Sequence, residues 1–346
     1  MVTGNAYRIK IGTQIASSQQ RETTQQLLSL KVELSMDGVG GHCEIELAGG
    51  ENTAAAAKPG DEVTIDLDAG DGKVRVFTGE VEMIQVETNT QRVLAHDGLV
   101  KLTGLEVEAG FEDVNVDFIV KQLLSEANIT AGTIDKGPKL ASYILQRGPR
   151  VFRHIQQLAK LCGADFYTDG EGKAHFVAPK KASADHVFNY GENITMLDLH
   201  EVQPVFDSVE VWGEGAASSK GADKFYWLAT DISGVASKAM LSEDYQLQSG
   251  QSGKRPLQIN CGEVRSGEAA QQVADAQIAA LAARRVKGYL KVFAIPGIEP
   301  GDHVNITGLP AGHAAAEALK TDSVLRVRRV LHQLDRSQGM VTRMDF

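Results

Sequence analysis

The sequence predicts an α+β, mainly β protein in which two similar β-rich domains, each a small sandwich or barrel, are separated by an inserted α+β domain. Three observations predict it. The turn Pro59-Gly60-Asp61 enters the strand-like run Glu62-Val63-Thr64-Ile65, and Pro300-Gly301-Asp302 enters His303-Val304-Asn305-Ile306 in the same way. Each copy is followed by a strand, a polar turn and a second strand, over 81–94 and 324–344. Between the copies the apolar period changes from two to that of a helix, which marks a unit of another kind.

Taken in order, residues 7–11, 28–34, 43–47, 62–68, 73–77, 79–87 and 92–95 alternate apolar with polar side chains between Gly, Asp and Asn turns, and predict strands. Ala69-Gly70-Asp71-Gly72 has hairpin-turn chemistry. From Asp113 onward Val116, Val120, Leu123, Leu124 and Ala127 share one helical face, with Asp113 or Asn115 available as N-cap. A second amphipathic helix is expected over 150–162, with Gly163 at its left-handed C-cap, and a hairpin follows around Asp169-Gly170-Glu171-Gly172. Strands are expected over 208–212, 224–228 and 257–260, an Ala-rich helix over 267–287, and loops over 215–223 and 249–254. The predicted boundaries are 1–104 for the first β domain, 105–184 for the insert and 185–346 for the second.

With 42% apolar and 23% charged residues the chain reads as folded and multidomain. No window carries the ~20 apolar residues of a membrane span, and no basic-then-apolar leader opens it, so no membrane anchor is expected and synthesis in the cytoplasm is. Cys43, Cys162 and Cys261 lie far apart with no CxxC, which predicts buried free thiols. A net charge of -10 disfavours coating nucleic acid. The sign is uneven: residues 33–117 hold nineteen acidic and five basic side chains, and 284–346 ten basic and six acidic. That asymmetry makes Asp66, Asp68, Glu80 and Glu82 on one copy, and Arg326, Arg328 and Arg329 on the other, candidate interface residues, either solvated or meeting with complementary charge.

Chemistry is sparse. Gly250 to Arg255 lacks the spacing and the Ser or Thr of a phosphate loop. Asp66, Asp68 and Asp71 lack the Gly and Glu positions of a calcium loop. The nine histidines form no zinc spacing, and no nucleophile elbow is present. No catalytic residue, metal ligand or cofactor is assigned.

The run Gln146-Arg147-Gly148-Pro149, the helix with Phe152 and Leu158, then Gly163-Ala164-Asp165-Phe166-Tyr167 and Gly172-Lys173-Ala174-His175-Phe176, together with 269–285 and the Pro300 turn, resembles the phage protein D family of tail hub proteins. That fold also forms the N-terminal part of the type VI secretion spike VgrG. The resemblance implies two tube-protein-like β-barrel domains per chain and a homotrimeric baseplate hub between the sixfold tail tube and the threefold spike. Its implied partners are the tail tube protein, a separate spike protein (no spike repeat follows in this chain), and the tape-measure and baseplate wedge proteins. The implied location is the baseplate of a virion or phage-tail-like particle, assembled in the bacterial cytoplasm. No sequence-specific nucleic-acid contact is implied, and the activity is structural, not enzymatic. The alternatives are a baseplate-mounted cell-wall hydrolase or esterase, and a carbohydrate-binding β protein. Trp212 and Trp227, both in expected strands, give little support to an aromatic binding stripe.

Overall fold

A computed structural model describes every residue except 1–5, 20–25, 49–56, 147, 214–234, 243–244 and 321–322. The strand expected over 224–228, with Trp227, and the loop expected over 215–223 fall outside the described residues. The first β unit comprises β1 (Ala6–Ile11), β2 (Gln14–Ser17), β3 (Leu27–Ser35), β4 (His42–Ala48), β5 (Glu62–Asp68), β6 (Val74–Val86) and β7 (Thr90–His96). Alternate residues of these strands point inward, so Ile9, Val32, Ile45, Ile65, Phe77 and Val93 meet in one core. The two strands expected over 73–77 and 79–87 are the single strand β6. Gly79, the first residue of the second expected strand, lies where a Cβ would come within 2.2 Å of the His96 carbonyl oxygen, so glycine permits a close approach inside a continuous strand.

The insert comprises α1 (Lys101–Gly104), β8 (Ala109–Asn115), α2 (Val116–Glu126), β9 (Ala131–Ile134), β10 (Lys139–Leu145), α3 (Val151–Cys162), β11 (Asp165–Thr168) and β12 (Ala174–Val177). Both amphipathic helices form as expected. Val116, Val120, Leu123 and Leu124 of α2 and Ile155, Leu158 and Cys162 of α3 share a core with Phe166 and Phe176 of the hairpin. Asn115 is the residue at the N-cap of α2. Gly163 caps α3 in the left-handed region at φ 57°.

The remainder comprises β13 (His186–Asn189), β14 (Ile194–Glu201), β15 (Ser208–Gly213), β16 (Ala236–Leu241), β17 (Leu247–Ser249), β18 (Pro256–Cys261), α4 (Gly267–Ala283), β19 (Val286–Phe293), β20 (His303–Thr307), α5 (Ala314–Ala318), β21 (Val324–Arg326), β22 (Arg329–Asp335) and β23 (Gly339–Asp345). Residues 185–346 contain two cores. One joins β13, β14, β19 to β23 and α5. The other places α4 on a four-stranded sheet, β17-β16-β15-β18, that interrupts the second β unit between β14 and β19. Ser266 caps α4 by accepting from the Ala269 N–H, and the helix expected to reach 287 ends at Ala283, because Val286 is drawn into the β14–β19 ladder. The same residue that caps α3 keys α3 onto α4: a Cβ on Gly163 would lie 2.4 Å from the Ala276 carbonyl oxygen. Gly163→Ala therefore combines left-handed strain of ~1–2 kcal/mol with displacement of a helix backbone, and is expected to lower unfolding free energy by about 2 kcal/mol or more in a denaturant titration.

The duplication is visible in strand order. The first unit runs β3-β4-β7-β6-β5-β1. The second runs β14-β19-β23-β22 and then β21-β20, the counterpart of β6 being broken at Val327 and Arg328; beyond them the units differ, since β13 joins β20 in parallel where β1 joins β5 antiparallel. The two Pro-Gly-Asp turns make the same pair of backbone bonds. Gly60 donates to the Val81 carbonyl and Val81 to that of Asp61; Gly301 donates to Val327 and Val327 to Asp302; all four are 2.8 Å. Gly60 and Gly301 both have positive φ, 89° and 102°.

Candidate functional site

The two β units are not separate bodies on a linker. β22 pairs antiparallel with β3, from Arg329 opposite Ser35 to Asp335 opposite Ser29, so that eleven strands of both units form one sheet. This joint buries Val330, His332, Leu30, Val32 and Leu34. His332 donates to or accepts from the Thr342 hydroxyl at 3.0 Å, and its burial pushes its pKa down to about 4, so the ring is neutral in the folded protein at neutral pH.

Beside the joint, the insert contributes a buried carboxylate. Asp165 opens β11 with its side chain only 4% exposed, and it is ringed by Arg326 at 2.6 Å, Arg328 at 3.0 Å and Arg284 at 3.1 Å. Arg328 reaches on to Asp37 at 2.5 Å. Burial by itself would raise the Asp165 pKa, but Arg328, Arg326 and Arg284 outweigh it and hold the carboxyl below its usual range. One acid thus ties together the insert, α4's end, the second unit and, through Arg328, the first. The hairpin that follows is wedged between both repeats: Thr78 of the first unit donates to the Gly170 carbonyl at 3.0 Å, and the Gly170 N–H donates to Glu299 of the second, also at 3.0 Å.

The predicted interface residues fall at several places. Arg328 and Arg329 line one cleft of about 580 Å³ over the joint, with Glu33, Asp37, His42 and His96. Arg329 pairs with Asp345 at 2.6 Å and Glu33 at 3.5 Å. Arg326 lies beside this cleft, on Asp165. The acidic set lies on β5 and β6: Asp66 binds Arg75 at 2.5 Å, Asp68 accepts from Gly70 and Gly72 in the hairpin turn, Glu80 meets Lys101 and Glu82 meets His96, each at 2.6 Å. Every one of the seven therefore has a partner within its own chain, and the structure does not bring the acidic set against the arginines. Within one chain the arginines serve the junction. The residue that sequence reasoning missed is Asp165. Its signal was present, since a lone charge in the run Ala164-Asp165-Phe166-Tyr167 must be paired if the run is buried.

Among the described residues no group of three or more His, Cys, Asp or Glu could hold a metal ion, and no helix is long and apolar enough to cross a membrane. Neither family models nor curated proteins gave a match to this chain. Solved structures did. The chain is similar to the 43 kDa tail protein of prophage MuSo2 from Shewanella oneidensis, with a TM-score of 0.67 and 16% identity, covering 99% of this chain and 98% of that one. It is similar to a tail protein from Neisseria meningitidis MC58, with a TM-score of 0.68 and 13% identity over 99% and 96% of the two chains. It also matches an E. coli type VI secretion component described as structurally similar to the T4 tail proteins gp27 and gp5, with a TM-score of 0.52 and 11% identity over 97% of this chain and 75% of that one. End to end, through both repeats and the insert, this chain has the mainly β fold of phage tail proteins.

Proposed function

We propose that the chain is a structural baseplate hub that works as a homotrimer and joins a sixfold tail tube to a threefold central spike in a contractile phage tail or phage-tail-like particle. The observation that carries this reading is the repeat: two units of one strand order, fused through β22 and β3 into one sheet. Three such chains present six similar units in a ring, which matches sixfold to threefold symmetry without any second gene product. The fold's likeness to phage tail proteins supports the same role. The hub acts by shape and rigid assembly, without turnover. Its partners are the tube protein on one face and the spike on the other, with tape-measure and wedge proteins as further contacts. In this reading Glu80 and Glu82, about half exposed, face a neighbouring copy or the tube, while Arg326, Arg328 and Arg329 act from within by fixing the angle between the units.

The test is the solution mass of the purified chain by light scattering, alone and with a candidate spike protein. A trimer, formed spontaneously or on adding the spike, is the expected result. A monomer indifferent to both spike and tube proteins overturns the reading.

A further inference from the structure

The internal joint predicts how one copy meets the next. Rows of cross-strand neighbours align the repeats: Ile84, Val93, Ile45 and Leu30 in the first unit correspond to Val330, Met344, Leu290 and Leu197 in the second. The matched turn bonds to Val81 and Val327 give the same alignment of β6 with β21 and β22. In the joint, Val330 lies opposite Leu34 and His332 opposite Val32. Their counterparts are Ile84 and Val86 on β6, and Glu201 and Leu199 on β14. Among the described residues, this stretch of β6 pairs only with β7, and β14 pairs only with β19, so each has one free edge.

We propose that copies of this chain join head to tail by antiparallel pairing of the free edge of β6 with the free edge of β14, in the register that opposes Ile84 to Glu201 and Val86 to Leu199. The proposal rests on the hub reading for the number of copies that close the ring. For the interface itself it rests on the repeat.

Hydrogen-bond parity supports the register independently. Glu87 donates to the Thr90 carbonyl at 2.9 Å, so the alternation of an antiparallel ladder turns the N–H and C=O of Ile84 and Val86 away from β7. Val202 donates to the Arg285 carbonyl at 2.7 Å, which likewise turns those of Leu199 and Glu201 away from β19. Met36 donates to the Arg328 carbonyl at 3.0 Å, making Leu34–Val330 and Val32–His332 the bonded pairs of the internal joint. The register taken from the repeat therefore sets outward-facing groups on both edges directly opposite each other. A register shifted by one residue would not.

Side chains agree. Val86 is 61% and Met83 43% exposed, an apolar pair on an open edge, and the pairing would cover them with Leu199 and Val202. Glu201 arrives with Arg285 already bound at 2.8 Å. β6 ends at Val86, which keeps Glu87 from being drawn into the ladder opposite Asp198. The short edge strand β2 is not the counterpart, because β20, the equivalent of β5 on that side of the unit, lies in a separate sheet and takes no part in the internal joint. A heterologous contact of this kind closes into a ring when its rotation allows.

The test is disulfide trapping in the full chain. Gln85 and His200 would face each other as a non-bonded pair, with Cα atoms ~4.5 Å apart, inside the ~4.4–6.8 Å a disulfide spans. Cys43, Cys162 and Cys261 are buried, so they do not compete. Oxidised Gln85→Cys/His200→Cys protein is expected to run as two- and three-chain species that collapse on reduction, whereas Gln85→Cys/Asp198→Cys, two residues out of register, is expected to stay a single chain. Val86→Pro removes an outward N–H without touching the β6–β7 ladder and is expected to lose the trimer while keeping the monomer's melting temperature. A native trimer that neither cross-links through 85 and 200 nor responds to Val86→Pro overturns this interface and leaves the hub reading standing. A chain that stays monomeric and uncross-linked at every concentration, with or without the spike, overturns both.

Discussion

Asp165→Ala is expected to cost about 3–5 kcal/mol of unfolding free energy at neutral pH, the usual loss when one member of a buried ion cluster is removed. Three guanidinium groups converge on this carboxylate, and two of them, Arg326 and Arg328, have side chains only 9% and 12% exposed. Removing the acid leaves those charges facing one another out of water. Arg328 keeps Asp37, but Arg326 is left with neutral partners, the Val177 carbonyl at 3.4 Å and the Tyr167 side chain. The loss should be read by chemical denaturation, together with an early, separate transition as the insert detaches from the β units. Arg328→Ala in the Asp165→Ala background should then cost less than Arg328→Ala alone, because the two share one interaction. Additive losses would show that the cluster is not the junction's anchor. The Asp165 carboxyl is held below its usual value, so its contribution is complete above the unfolded value of ~3.9 and is lost only as pH falls through the lower folded value.

The second large effect is also a loss in acid, in a different window. His332 lies inside the joint with its pKa depressed to about 4 by burial, whereas in the unfolded chain it titrates near ~6.5. Below ~6.5 the unfolded state binds a proton that the native state refuses, so stability falls by ~1.4 kcal/mol per pH unit until about pH 4, roughly 3 kcal/mol in all. Titrating unfolding free energy between pH 7 and 4 checks this, with His332→Gln as the comparison. A glutamine can retain a bond to Thr342 but cannot take up the proton, so the variant's slope should flatten in that window. An equal slope in both proteins would assign the acid loss elsewhere. The two windows differ: between ~6.5 and about pH 4 protonation of His332 withdraws stability from the joint, whereas Asp165 is discharged only in stronger acid.

The parts of this protein that a local pattern dictates were legible in its residues. Alternation marked the strands of the first unit except β2, the 3.6-residue period marked α2 and α3, Gly163 marked a C-cap, and the repeated Pro-Gly-Asp marked a duplication that the turn hydrogen bonds and the order of the strands from β3 to β5 and from β14 to β20 repeat. Such signals are short-range, since φ preference, side-chain period and capping depend only on neighbours in the chain. Reading failed where a local cue had a distant cause. Two strands are expected over 73–77 and 79–87, yet they are one, and Gly79 serves a close approach to His96 within it. The arginines of the last hairpin look like a free basic surface, yet Arg326 and Arg328 are spent on Asp165, more than 150 positions earlier.

By itself, then, the sequence determined that the chain is mainly β, that it carries one unit twice, and that a helical insert with a capped helix and hairpin lies between the copies. Only the tertiary structure decided that β22 adds to β3 so the copies share one sheet, that a four-stranded unit with α4 interrupts the second copy, and that Asp165 binds insert and repeats together. The reason is physical: a backbone edge offers the same N–H and C=O groups whatever its side chains, so which edges meet is settled by packing at long range, while the side chains that license it are scattered along the chain.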